Sequence, residues 1–240
     1  MWSKPYATYP KFQDMEALIW CCGNQVSIDV NSWKSNCVIH ERESMNQRLH
    51  EQIRFLMEID MLKHVFRRTK LLNGSRYEND AEHAWHLAMM AMVLHEYSNE
   101  PVELSKVVKM VLIHDLVEID AGDAFLYDEN NAISKEEAET KAAIRVFGLL
   151  PEDQRREFID LWEEFERKET PEARFAAALD RLEPLIQNAH TEGHAWIKYG
   201  ITKDQVINKN RPPLIGGSEE LWGCAEEMIT ESADKGYFPG

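Results

Sequence analysis

Cysteine is scarce in this chain: four residues, Cys21, Cys22, Cys37 and Cys224, in 240. No Cys-x-x-Cys pair occurs and two of the four are adjacent, which excludes a zinc ribbon and a disulfide framework. Reduced thiols in a reducing compartment fit that usage. No apolar run approaches the roughly 18 residues of a membrane-spanning helix. The N-terminus lacks the basic, apolar, small-residue order of a signal peptide, and Leu18–Cys22 is too short to serve as one. A cytoplasmic location without membrane attachment is the expectation. Positive charge is also short, with 27 basic against 42 acidic residues and a net charge of −15. That balance argues against general affinity for nucleic acid or an anionic membrane. An anionic substrate would need a local basic patch. There is no internal repeat and no convincing β-hairpin.

What is present is helical periodicity, from Met45 onward. Residues 1–44 hold three of the cysteines and three tryptophans (Trp2, Trp20, Trp33) with no sustained helical period. They read as an N-terminal extension to a single domain at 45–240. Ser44-Met45-Asn46-Gln47 has the form of a capping box, predicting a helix to about Met61. A basic stretch follows (Lys63, His64, Arg67, Arg68, Lys70, Arg76), with a loop at Asn73-Gly74-Ser75. Asp80 reads as the N-cap of a helix to about Tyr97. The next helix runs from about Glu103 to Ile119 and is stopped by Gly122. Further helices are expected from Ser134, from Pro151, from Pro171 behind a Thr170 N-cap, and from Ser218 to about Lys235. Residues 199–217, with Arg211-Pro212-Pro213 and Gly216-Gly217, read as a loop. The fold expectation is all-α, a single bundle of about seven helices around one core.

Within this frame one stretch is costly to build. Val111–Glu118 is nearly all apolar, yet it carries His114, Asp115 and Glu118. Three- and four-residue spacings crowd them onto one helical face. Such a group needs a metal ion or a mutual network to offset its burial. Two other helices offer His83 and Asp180, the latter one turn before Pro184, whose ring clashes with the Asp180 carbonyl. A lone helical histidine is more often structural than ligating. Taken together, though, histidine and aspartate without thiolate suit a divalent transition ion.

The ordered set Asp80-Ala81-Glu82-His83, His114-Asp115 and Ala178-Leu179-Asp180-Arg181 resembles the H…HD…D pattern of the HD-domain phosphohydrolases. Glu118 and Gly122-Asp123 narrow the resemblance to the bacterial 5′-deoxynucleotidase group and its eukaryotic HD-containing relatives, over about residues 48–190. The resemblance implies that His83, His114, Asp115 and Asp180 bind one divalent ion (Mn, Co, Fe, Zn or Mg). It implies that Glu118 and Asp123 act close to the substrate. It implies an arginine before the first metal histidine on the phosphate: Arg68 stands at the matching distance, with Arg67 beside it and Arg76 nearer. Thr69 departs from the pattern, which has a tryptophan after that arginine to crowd out a ribose 2′-hydroxyl. No histidine lies between Asp115 and Asp180, where two-metal relatives carry extra ones, so a one-metal enzyme is expected. The implied activity is hydrolysis of (deoxy)nucleoside 5′-monophosphates to nucleoside and phosphate by metal-activated water, in a homodimer. Two alternatives stand beside it: another HD-fold phosphohydrolase acting on a non-nucleotide phosphate ester or pyrophosphate, and a catalytically silent metal-binding module.

Overall fold

The computed structural model describes residues 35–123, 125–127 and 132–239. Residues 44–240 form one compact unit, and the expected extension falls largely outside the described residues. Helix α1 (Ser35–Glu58) leads through a 3-10 segment, Ile59–His64, into strand β1 (Phe66–Lys70). Strand β2 (Tyr77–Asn79) pairs with it antiparallel, Phe66 opposite Asn79 and Lys70 opposite Tyr77, with an irregular register between. Then come α2 (Asp80–Leu94), α3 (Leu104–Ile113), α4 (Glu118–Ala121), α5 (Ala132–Phe147), α6 (Glu152–Arg167), α7 (Pro171–His190), α8 (His194–Tyr199), α9 (Lys203–Gly217) and α10 (Glu219–Asp234). Among the described residues no helix is long and apolar enough to cross a membrane.

The architecture is all-α with one small hairpin, and α7 is its axis. Phe175, Ala176, Ala177, Ala178, Leu179, Leu182 and Leu185 are all buried, so nearly every face of α7 meets another element. A helix apolar all round belongs at the centre of a core. Helices α2, α3, α6, α9 and α10 pack around it. Thr170 caps it by accepting from the Ala173 N–H, with Pro171 in the first turn.

Four expectations are corrected by the structure. Helix α1 is already under way at Ser35, so Ser44 lies inside the helix and not at its start. The N-cap of α2 is Asn79, in a reciprocal capping box with Glu82; Asp80 is the first helical residue and is buried. The basic stretch contains the hairpin. Residues 203–217, read as a loop, form α9, which accounts for an eighth helix of ten residues or more where seven were expected. An interior proline costs roughly 3 kcal/mol in an isolated helix, and α9 holds Pro212 and Pro213. Its Val206, Asn210, Leu214 and Gly217 are buried, and packing on α7 outweighs propensity.

That packing depends on Gly217. A Cβ there would lie 2.4 Å from the Arg174 carbonyl oxygen and 2.7 Å from Ala178 Cβ. Backbone cannot yield cheaply at such distances. Gly217→Ala is expected to destabilise the fold by about 1–3 kcal/mol through overpacking, read as a lower urea midpoint with unchanged slope.

Candidate functional site

The helix expected from Glu103 to Ile119 is broken at the residues that matter. Helix α3 ends at Ile113, and His114–Val117 forms a 3-10 turn before α4. Gly122 ends α4 at φ +77° with its N–H on the Glu118 carbonyl. The tighter winding separates side chains that one α-helical face would have stacked. His114 turns to α2 and α7. Glu118 turns to Asp80 at the start of α2.

His83, His114 and Asp180 come together from three helices, with ligand atoms within 4.8 Å of one another. Asp180 Oδ1 lies 3.1 Å from His83 Nε2 and 3.8 Å from His114 Nε2. Asp115 joins them, with Oδ1 3.1 Å from His114 Nε2 and Oδ2 3.9 Å from His83 Nε2. Each imidazole is anchored through its other nitrogen. His114 Nδ1 lies 3.0 Å from the Val111 carbonyl, and His83 Nδ1 lies 3.3 Å from Glu183 Oε2. Acceptors at both Nδ1 atoms leave both Nε2 atoms facing the cluster, the arrangement that orients histidine ligands. His114 Nε2 is buried and makes no hydrogen bond. Two aimed Nε2 atoms, two carboxylates and no thiolate fit a divalent ion.

The electrostatics follow from this crowding. Burial and the Arg67 charge push the His83 imidazole down, but Asp180 and Glu183 outweigh them and raise it to about 9. Burial likewise lowers His114, and Asp115 and Asp180 raise it to about 10. Burial acts upward on Asp115, yet His114 and Arg67 hold it below the usual carboxylate range. Glu118 goes the other way: burial, then the Asp115 and Asp80 charges, push it well above an ordinary glutamate. Asp80 is raised to about 6, by burial and then by Asp115. Asp123 is raised by burial.

Beside the cluster opens a cavity of about 180 Å³. His114, Asp115, Glu118, Asp123 and Asp180 line it, while His83 lies fully buried behind. Cations reach it from Arg67, Arg68, Lys135, Lys168 and Arg181, supplying the local basic patch that an anionic substrate needs. Phe125, Tyr127, Phe165 and Trp196 give it aromatic wall.

The arginines divide by the alternation of β1. Arg67 and Thr69 turn inward and Arg68 outward. Arg67 enters the cluster itself, Nη1 lying 3.1 Å from Asp115 Oδ2 and 3.3 Å from Asp80 Oδ1. Arg68 lies on the cavity wall, its guanidinium carbon 5.5 Å from the Phe125 ring centre and 5.4 Å from that of Tyr199. Arg76 is not in the lining; it is clamped on Glu82 at 2.5 and 2.7 Å. Thr69 is buried on the cavity with Oγ1 unbonded.

Asp80 and Glu183 were not recognised as site residues from the sequence. Asp80 stands three residues before His83, a spacing that shares a helical face, and that was the available signal. Glu183 stands three after Asp180, but nothing local pairs it with His83.

The family model for the HD domain matches residues 59–222. The chain is 33% identical to the human protein 5′-deoxynucleotidase HDDC2 over 141 residues, 58% of this chain and 68% of that one. It is 31% identical to the Danio rerio protein of that name over 140 residues, again 58% and 68%. A crystal structure described as a predicted metal-dependent phosphohydrolase from Magnetospirillum magnetotacticum MS-1 superposes with a TM-score of 0.77 at 49% identity. It covers 81% of this chain and 97% of its own. With the matched region holding every residue of the cluster, the chain belongs to the HD domain family.

Proposed function

We propose that the protein is a metal-dependent phosphomonoesterase that converts nucleoside 5′-monophosphates to nucleoside and phosphate. The observation that carries the reading is the union of two features. The His83–His114–Asp115–Asp180 set, its histidines buried with their Nε2 atoms aimed inward, adjoins a cavity that combines cations with aromatic wall. The relatives named 5′-deoxynucleotidase support the nucleotide as substrate class. A divalent ion held by His83, His114, Asp115 and Asp180 would supply Lewis acidity and a more acidic bound water.

The chain's own groups do the rest. Arg67 and Arg68 flank the cluster on the cavity side and offset charge on the phosphoryl oxygens; a guanidinium fork suits that geometry. Glu118 is buried, and burial with the Asp115 and Asp80 charges raises its carboxyl, which supports a role in giving the leaving 5′-oxygen its proton. Asp123 sits on the cavity wall beyond Glu118 and takes a sugar hydroxyl. Phe125, Tyr127 and Trp196 offer apolar surface to a base. Catalysis resides in residues 45–240, with 1–44 as an extension. A homodimer belongs to the same reading. It is supported by exposed apolar rows on α1 (Leu49, Ile53, Leu56) and α2 (Trp85, Met89, Val93), the kind of surface that marks an interface.

The test is phosphate release from 5′-deoxy- and 5′-ribonucleoside monophosphates, using protein stripped with chelator and reloaded with Mn, Co or Mg. Metal-dependent release is expected. Release from deoxynucleotides alone would show sugar selection without the family's tryptophan, and release from both sugars would assign the lost selection to Thr69. No release from any nucleotide by metal-loaded protein would overturn the reading in favour of another phosphate ester.

A further inference from the structure

Behind His83, on the side away from the cavity, a second set of donors converges. We propose that Glu78, His86 and Glu183 form a further divalent-cation site, separate from the His83–His114–Asp115–Asp180 cluster. Their ligand atoms lie within 4.8 Å of one another. His86 Nδ1 is 3.2 Å from Glu183 Oε1. Around a cation with bonds of roughly 2.1 Å, neighbouring donors stand about 3 to 3.5 Å apart, so little movement is needed to admit one.

The charges and the orphan atoms point to a ligand. Glu78 is 2% exposed, and its Oε2 has no hydrogen-bond donor. The nearest cationic groups, Arg67 Nε and His83 Nδ1, are both 3.8 Å away. Neither is within hydrogen-bonding distance; Arg67 gives its Nη1 to Asp80 and Asp115, and His83 Nδ1 is closer to Glu183. A buried carboxylate left this way is costly. Gln187, one turn beyond Glu183 on α7 and beside Glu78, is also 2% exposed and has its amide Oε1 without a donor. Glu78, His86 and Gln187 line one pocket open to solvent between the hairpin and α2, together with Glu82, Leu71 and Trp85. Two carboxylates and an imidazole nitrogen make a mixed oxygen and nitrogen set suited to Mn, Co or Zn. Glu183 presents one oxygen to His83 and the other to His86, so the second cation would sit one carboxylate away from a metal-ligating imidazole.

The experiment is anomalous diffraction from crystals of the full chain soaked in saturating Mn(II), with a Mn(II) titration in solution. A peak among Glu78, His86 and Glu183 is expected beside the one at His83, His114 and Asp180. A peak at the latter with none among the former would overturn the proposal. In solution, His86→Ala is expected to bind one Mn(II) fewer per chain than the unaltered protein, and an unchanged stoichiometry would overturn the proposal. If His86→Ala does not fold, Glu78→Gln, which keeps the volume and removes the charge, is held to the same loss of one equivalent.

Discussion

His114→Ala is expected to remove metal binding at the His83–His114–Asp115–Asp180 cluster, and phosphate release with it. The imidazole is buried, anchored at Nδ1 on the Val111 carbonyl, and its Nε2 is the cluster atom without a hydrogen bond. No other side chain can supply that nitrogen, because the 3-10 turn places Asp115 beside it and carries Glu118 away. Lewis-acid assistance contributes several kcal/mol to such reactions, so the fall in kcat/KM is expected to be about 10³-fold or more. The accompanying measurement is thermal. A ligand at a hundred times its Kd stabilises by about 2.7 kcal/mol. For a domain of this size that raises Tm by roughly 5–10 °C. The unaltered protein should show at least that rise on reloading with Mn(II), and His114→Ala a smaller one, limited to what the Glu78–His86–Glu183 set contributes. A variant that still releases phosphate at near the original rate would show that the reaction does not need this cluster.

The residues of the cluster are legible in the sequence because their order and spacing match a known family pattern. His83, the His114-Asp115 pair and Asp180 stand out as ionisable groups near apolar positions, each a weak signal alone, and the resemblance is what joins them. Their local geometry was less legible. His114 and Glu118 are four apart, which on an α-helix means one face, but the chain tightens to a 3-10 turn at His114–Val117, packed against α5, and that leaves no mark in residue type. The hairpin was hidden for a related reason. Phe66–Lys70 is basic and short, and it becomes a strand only because β2 pairs with it and α7 and α8 pack on it. That hairpin decides which arginine reaches the cluster. Counting from His83 singles out Arg68, whereas strand alternation turns Arg67 inward. Helix α9 was missed because Pro212 and Pro213 signal a break locally, and only the buried contact with α7 shows otherwise.

Glu118→Gln separates holding the metal from moving a proton. The side chain is buried against Asp80, one of its oxygens has no donor, and it lies outside the His83–His114–Asp180 group. Glutamine keeps its volume and satisfies Asp80 through the amide, so Mn(II) binding and fold are expected to survive. Phosphate release from nucleoside monophosphates is expected to fall by about 10²–10⁴-fold, the usual worth of a positioned general acid. The decisive comparison is the leaving group. A sugar 5′-alkoxide is strongly basic and departs only with a proton, whereas a nitrophenolate departs without one. Glu118→Gln should therefore hydrolyse an aryl phosphate at near the original rate while failing on nucleotides. Equal loss on both substrates would reassign Glu118 to positioning the phosphate, and full activity on nucleotides would remove it from the reaction. Proton donation predicts a split between the two substrates because the donated proton is needed in one transition state and not in the other.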